Sequence, residues 1–253
     1  MGPAPMSPPR VVLAPSPFVG PMSLAGVATA LQGLGLAAVA PAGAAAWDVE
    51  APYYPQLVER IASSPRVGPE TGVVLVGHSA AGGLLPWLAE AIGPGVQAAI
   101  FVDAILPHPG RTWFETAPPA LAERLRSRVV EGRLPPWDRW FPSEVIAGLL
   151  PDPRERSAFI DELQRAPAAF AEEVAPACPH WPPPRCGYLQ LSEAYAPEAD
   201  IAASADWLLR RDIIHHLATV THADRVARSL HLMIRALTDS PWSSPSPDFA
   251  NPP

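Results

Sequence analysis

Residues 72–83 read GVVLVGHSAAGG, and the interpretation of the whole chain turns on them. An apolar, β-branched run ends at Gly77, Ser79 follows two residues on, and small residues lead straight into the helical pattern LLPWLAEAI. That is a strand passing into a helix through a tight turn. A serine held on such a turn sits in strained geometry, so its neighbours must be small. The helix behind it offers N–H groups and a positive dipole end to a developing oxyanion. The local pattern is G-x-S-x-A-G, with Ala81 where the commonest form has glycine, and it marks Ser79 as a candidate nucleophile.

Outward from this point, short apolar runs alternate with amphipathic stretches. Strands are predicted at 11–14, 36–40, 72–76, 97–103, 187–192 and about 207–214, most of them continuously apolar as strands buried on both faces must be. Helices are predicted at 22–33, 53–63, 80–92, 198–205 and 223–238. Strand–helix alternation predicts an α/β fold with a mostly parallel sheet of about six strands and helices on both faces. Pro86 falls inside the predicted helix 80–92 and is expected to bend it.

Residues 107–181 break the alternation and look helical at about 118–131, 142–149 and 153–174. An insertion of this size between two strands of one sheet is expected to form a helical cap over the sheet edge. The organisation expected is a core of 1–106 and 182–239, a cap of 107–181 and a flexible tail of 240–253.

Composition excludes several alternatives. With 35 prolines and 17 glycines in 253 residues, the chain stays below the ~25–30% that marks disordered or fibrous sequences. Hydrophobic residues make up 48%, enough for a packed core. All 18 basic residues are arginine, a bias that reads as GC-rich, bacterial coding. A net charge of −7 argues against nucleic acid or an anionic membrane as partner, because both call for clustered positive charge. Cys178 and Cys186 are too few for a disulfide scaffold or a structural zinc site and are expected to be reduced thiols. Residues 11–47 carry no charge, but their prolines and glycines cut the run into pieces shorter than the ~20 residues of a spanning helix. A cytoplasmic protein is expected, with a signal peptide behind Arg10 as the alternative.

With the serine turn and this alternation, residues 10–238 resemble the α/β-hydrolase fold family, in the small form that lacks two leading antiparallel strands. The resemblance implies a histidine after the last strand and just before the final helix. His216 fits that register best, His215 is adjacent, and His222 looks like a helix-start residue. Its role would be to take the Ser79 proton and return it to the leaving group. The acid is left open. The family usually places it after the penultimate strand, where Tyr195 occupies the expected position and Glu193 lies two residues earlier. Some members place it after the strand that follows the serine turn, and there this chain has Asp103. Glu198, or no acid at all, is the third alternative.

The same resemblance implies an oxyanion donor from the loop after the first strand. That loop reads APSPFVGP at 14–21, with Pro15 and Ser16 where His-Gly usually stands. Pro17 has no N–H, so the Phe18 N–H or the Ser16 hydroxyl would have to act beside the Ala80 N–H. Ser16, His78, Trp113, Trp137 and Trp140 are the expected substrate-binding residues, with Tyr53, Tyr54, Phe114 and Phe141 as further aromatic candidates. No metal or organic cofactor is expected. The reaction expected is cleavage of a carboxylic ester, thioester or lactone with an apolar acyl group, through an acyl-enzyme on Ser79. A lyase, cyclase or acyltransferase on the same fold is the alternative, and a binding protein without catalysis is another. The partner expected is a small-molecule substrate, and the oligomeric state, monomer or homodimer, is left open.

Overall fold

The computed structural model describes residues 8–41, 47–63, 72–183 and 185–239. The 240–253 tail expected to be flexible lies outside the described residues.

Six strands form one sheet: β1 (Arg10–Ala14), β2 (Ala37–Val39), β3 (Val73–His78), β4 (Val96–Val102), β5 (Cys186–Gln190) and β6 (Leu208–Arg211). Their order is β2-β1-β3-β4-β5-β6, and every neighbouring pair is parallel. Side chains alternate between faces with period two, and the strands are apolar on both. Val12, Leu75, Phe101 and Tyr188 pack on one face, under helices α2 (Tyr53–Ala62) and α3 (Leu85–Ile92). Val11, Val74, Ile100 and Leu189 pack on the other, under α1 (Met22–Gly33) and the closing helix α11 (Ala223–Thr238). α11 buries Val226, Leu230, Met233 and Leu237, spaced three and four residues apart as one face of a helix requires.

The serine turn departs from the predicted continuous helix 80–92. A 3-10 helix runs over Ser79–Leu84 and α3 begins only at Leu85. Pro86 therefore sits in the first turn of α3, where its missing N–H has no partner to lose, and it does not bend the helix. Pro119, Pro153 and Pro197 start helices α5 (Pro119–Arg126), α7 (Pro153–Glu162) and α9 (Ala196–Ser204) in the same way. Four of the 35 prolines thus stand in the first turn of a helix.

Between β4 and β5, residues 107–181 hold α4 (Trp113–Thr116), α5, α6 (Ser143–Leu149), α7 and α8 (Ala168–Glu172). The predicted helix 153–174 is in fact two, broken by extended backbone at Leu163 and at Pro167. Two carboxylates tie this segment to the sheet layer. Glu173 accepts from the N–H groups of Tyr53 and Tyr54, at the otherwise unpaired start of α2. Glu162 does the same for Met22 at the start of α1, at 3.0 Å. The last predicted strand, 207–214, is shorter than expected because β6 ends at Arg211 and the chain turns toward His216. A short helix, α10 (Ala218–Thr221), follows before α11.

Candidate active site

Ser79 stands at the carboxyl end of the central strand β3 with φ +58°, in the left-handed region that a non-glycine residue adopts only under constraint. Gly82 is part of that constraint. A Cβ there would lie 2.1 Å from the carbonyl oxygen of Ile105, so the turn can press against the loop after β4 only with glycine. The Ile105 N–H also donates to the Ser79 carbonyl at 3.2 Å.

That same loop carries Asp103, which has φ +44° and is fully buried. Its Oδ1 accepts from the N–H groups of Leu191 and Ser192 at 2.9 and 2.8 Å, and its Oδ2 accepts from the Ser192 hydroxyl at 2.6 Å. The Tyr188 hydroxyl donates to the Ala104 carbonyl at 2.7 Å, clamping the turn from β5. Burial works to raise the Asp103 carboxyl, but hydrogen bonds from His216, Ser192 and Leu191 and the His216 charge outweigh it and hold it below its ordinary value.

His216 closes the arrangement. Its Nδ1–H donates to Asp103 Oδ2 at 2.7 Å, and its Nε2 accepts from the Ser79 hydroxyl at 3.2 Å. The structure therefore brings Ser79, His216 and Asp103 into one hydrogen-bonded chain. It does not bring Glu193 into it: that side chain is exposed at the start of a 3-10 turn (Glu193–Tyr195). His215 bonds Thr221 at 3.1 Å and is not part of that chain, and His222 bonds the same hydroxyl at 2.8 Å.

Two expected substrate-binding residues are placed elsewhere. His78 is fully buried behind His216, with ring centroids 4.8 Å apart. Its Nε2–H donates to the His216 carbonyl at 3.1 Å, while its Nδ1 is buried without a partner. Burial, helped by the nearby His216, holds the His78 imidazole down to about 3, so it stays neutral. Ser16 is also buried, and its hydroxyl accepts from the Phe18 N–H at a long 3.4 Å. Neither side chain lines the cavity above Ser79.

A cavity of about 550 Å³ opens above Ser79 and His216. Trp113, Trp137, Trp140 and Phe141 from the 107–181 segment line it with Phe18 and Ala80. Phe18 packs against Trp113 at 4.8 Å and Trp140 at 5.0 Å, so the loop after β1 and the inserted segment build one aromatic wall. Tyr53 and Tyr54 are not part of it. They pack on Phe170, and Tyr54 bonds His108 at 3.0 Å. Phe114 lies under the Arg126 guanidinium.

Sequence reasoning gave Tyr195 no role and weighed Glu198 only as an acid, yet both line this cavity. The signal available was the position of Tyr195, in the turn where the resemblance implies an acid. Among the described residues, no cluster of histidine, cysteine and carboxylate side chains could hold a metal ion. Cys186 is buried and Cys178 partly so, both as free thiols. Among the described residues no helix is long and apolar enough to cross a membrane.

No family model and no curated protein matches the sequence. Solved structures do match. An extracellular α/β-hydrolase from a Paenibacillus species, described as sharing structural and functional homology with tobacco salicylic acid binding protein 2, is 16% identical. The match covers 89% of this chain and 99% of that one, at a TM-score of 0.73. A pyrethroid hydrolase from Sphingobium faniae JZ-2 is 19% identical over 92% of this chain and 99% of that one, with a TM-score of 0.63. Tomato methylketone synthase I, complexed with 2-tridecanone, is 13% identical over 92% of this chain and all of that one, with a TM-score of 0.64. At such identities the likeness is one of fold.

Proposed function

We propose that this chain, which has the α/β-hydrolase fold, is a serine hydrolase that cleaves a carboxylic ester, thioester or lactone with an apolar acyl group. The observation that carries the reading is the pair of hydrogen bonds through His216, 3.2 Å to Ser79 and 2.7 Å to Asp103.

In this reading Ser79 Oγ bonds to the acyl carbon as its proton passes to His216 Nε2. Asp103 holds the ring in the tautomer with Nδ1 protonated and stabilises the imidazolium that forms. The Ala80 N–H leads the 3-10 turn and has no earlier partner within it, so it is one oxyanion donor. The Phe18 N–H, held only by a long bond to Ser16, is the other. The bond to the leaving atom breaks, and His216 gives that atom the proton. Water then attacks the acyl-enzyme with His216 as base, releasing the acid and restoring Ser79. The 107–181 segment acts as a cap whose aromatic wall takes the acyl chain.

Release of p-nitrophenol from esters of graded chain length, lost in Ser79→Ala, tests this reading. A second reading has the same residues serving a reaction that excludes water. Pro17 lacks an N–H and the Phe18 N–H is partly engaged, a weak oxyanion site that favours it. A methylketone synthase among the structural neighbours is a further reason to test it. A parent that forms the acyl-enzyme without releasing acid would select this second reading.

A further inference from the structure

One corner of the aromatic cavity is polar, and neither of its residues belongs to the Ser79–His216–Asp103 chain. The Tyr195 ring lies on the His216 imidazole, with centroids 5.0 Å apart and planes within 12°. Tyr195 lines the cavity together with Ser79. Glu198, three residues on and so one turn away at the start of α9, lines the same cavity. Its Oε2 is buried with no hydrogen-bond partner among the described residues. A buried acceptor without a donor is costly and rare, so it points to a donor supplied from outside the chain.

Stereochemistry says which part of a substrate reaches this corner. In the tetrahedral intermediate the oxyanion faces the Ala80 and Phe18 N–H groups, and the leaving oxygen faces His216 Nε2, which protonates it. The acyl chain takes the remaining direction, toward Trp113 and Trp140. Two cavity residues stack on His216, Trp137 at 6.2 Å and Tyr195 at 5.0 Å. Tyr195 is the closer, and the wall on its side of the sequence continues to Glu198, so the group on the leaving oxygen is assigned to that side.

We propose that Tyr195 and Glu198 form a leaving-group subsite, and that the natural leaving group is an alcohol bearing a second hydroxyl beyond the scissile oxygen. Glu198 Oε2 accepts from that hydroxyl while the Tyr195 phenol bonds the scissile oxygen as it departs. A neutral hydroxyl suits the site better than an ammonium, which would have to leave water for a mainly apolar cavity. Burial, with Asp103 nearby, holds the Glu198 carboxyl above its ordinary value, in keeping with a wall that disfavours charge.

The inference rests on the hydrolase reading, and its test separates the two. 2-Hydroxyethyl hexanoate and propyl hexanoate differ only by a terminal hydroxyl in place of a methyl group. The parent is expected to prefer the hydroxyethyl ester by about tenfold or more in kcat/KM, the return of one hydrogen bond to a buried acceptor. Glu198→Met is expected to abolish that ratio, and Glu198→Gln, which keeps an acceptor and the side-chain shape, to retain part of it. Equal kcat/KM in the parent, or a ratio unchanged in Glu198→Met, overturns the proposal. Calorimetric binding of both esters to Ser79→Ala gives the answer without turnover. Tighter binding of the hydroxyethyl ester supports the subsite even if the parent hydrolyses neither, and that result would overturn the hydrolase reading alone. Equal Kd values overturn the subsite whatever the turnover.

Discussion

Asp103 Oδ2 lies 2.7 Å from His216 Nδ1, across 113 residues of sequence, and no other carboxylate of the described residues bonds that imidazole. The pairing sets a buried carboxylate at the end of β4, next to the serine strand, while Tyr195 occupies the turn after β5. Asp103 is also fixed by the Leu191 and Ser192 N–H groups, so the turn after β5 delivers two donors to this carboxylate.

The first prediction concerns that pair. Asp103→Asn keeps the shape but leaves His216 Nδ1 facing an amide, and kcat is expected to fall roughly 10³–10⁴-fold. Glu193→Gln, at an exposed side chain, is expected to stay near the parent. Steady-state kinetics with one ester ranks the two, and the reverse ranking moves the acid to Glu193.

A second prediction tests the tight turn. Gly82→Ala places a Cβ 2.1 Å from the Ile105 carbonyl oxygen and is expected to cost about 1–3 kcal/mol or more. Gly148 lies inside α6 with open space around its Cβ position, so Gly148→Ala should stabilise, by up to about 1 kcal/mol. Urea denaturation of both variants measures the difference. Equal midpoints would contradict the packing described for the turn.

A third prediction follows from the buried His78. Unfolded, this imidazole takes a proton as pH falls below its ordinary 6.5, whereas in the fold it does so only near 3. Between those values unfolding takes up a proton, so stability declines on acidification by about 1.4 kcal/mol per pH unit from this one group. His108, also held low by burial, acts in the same direction, and the depressed Asp103 adds its loss below about 4. Thermal melts from pH 7 to 5 should show the decline already at pH 6, with a shallower slope in His78→Asn. A melting temperature flat down to pH 5 would contradict it.

Acyl preference supplies a fourth prediction. Trp140 meets Phe18 and Trp113 in the cavity wall, so Trp140→Leu is expected to raise KM for octanoyl esters severalfold while acetyl esters change little. A uniform change across chain lengths would mean that the acyl chain lies elsewhere.

Much of the fold was legible because its signals are local. Apolar runs such as VVLV and AAIFV name buried parallel strands, and small residues around Ser79 name the turn. His216 could be singled out because it lies between the last strand and the last helix. Between Asp103 and Glu193 the sequence left the choice open, because each follows a strand and only three-dimensional juxtaposition shows which carboxylate bonds His216. Pro86 misled because helix register is not written locally: a start at Leu85 turns a breaker into a first-turn residue. His78 looked like a pocket residue from its place beside Ser79, but the turn at φ +58° sends the two side chains in different directions.

The central claim is that Ser79 is a nucleophile activated by His216 and Asp103. It is tested most directly by treating the parent and Ser79→Ala with a fluorophosphonate and mapping the adduct by mass spectrometry. The account predicts one adduct per chain on the peptide containing Ser79, none in Ser79→Ala, and much slower labelling in Asp103→Asn. A folded parent that takes no label, or takes it at another residue, would contradict the account.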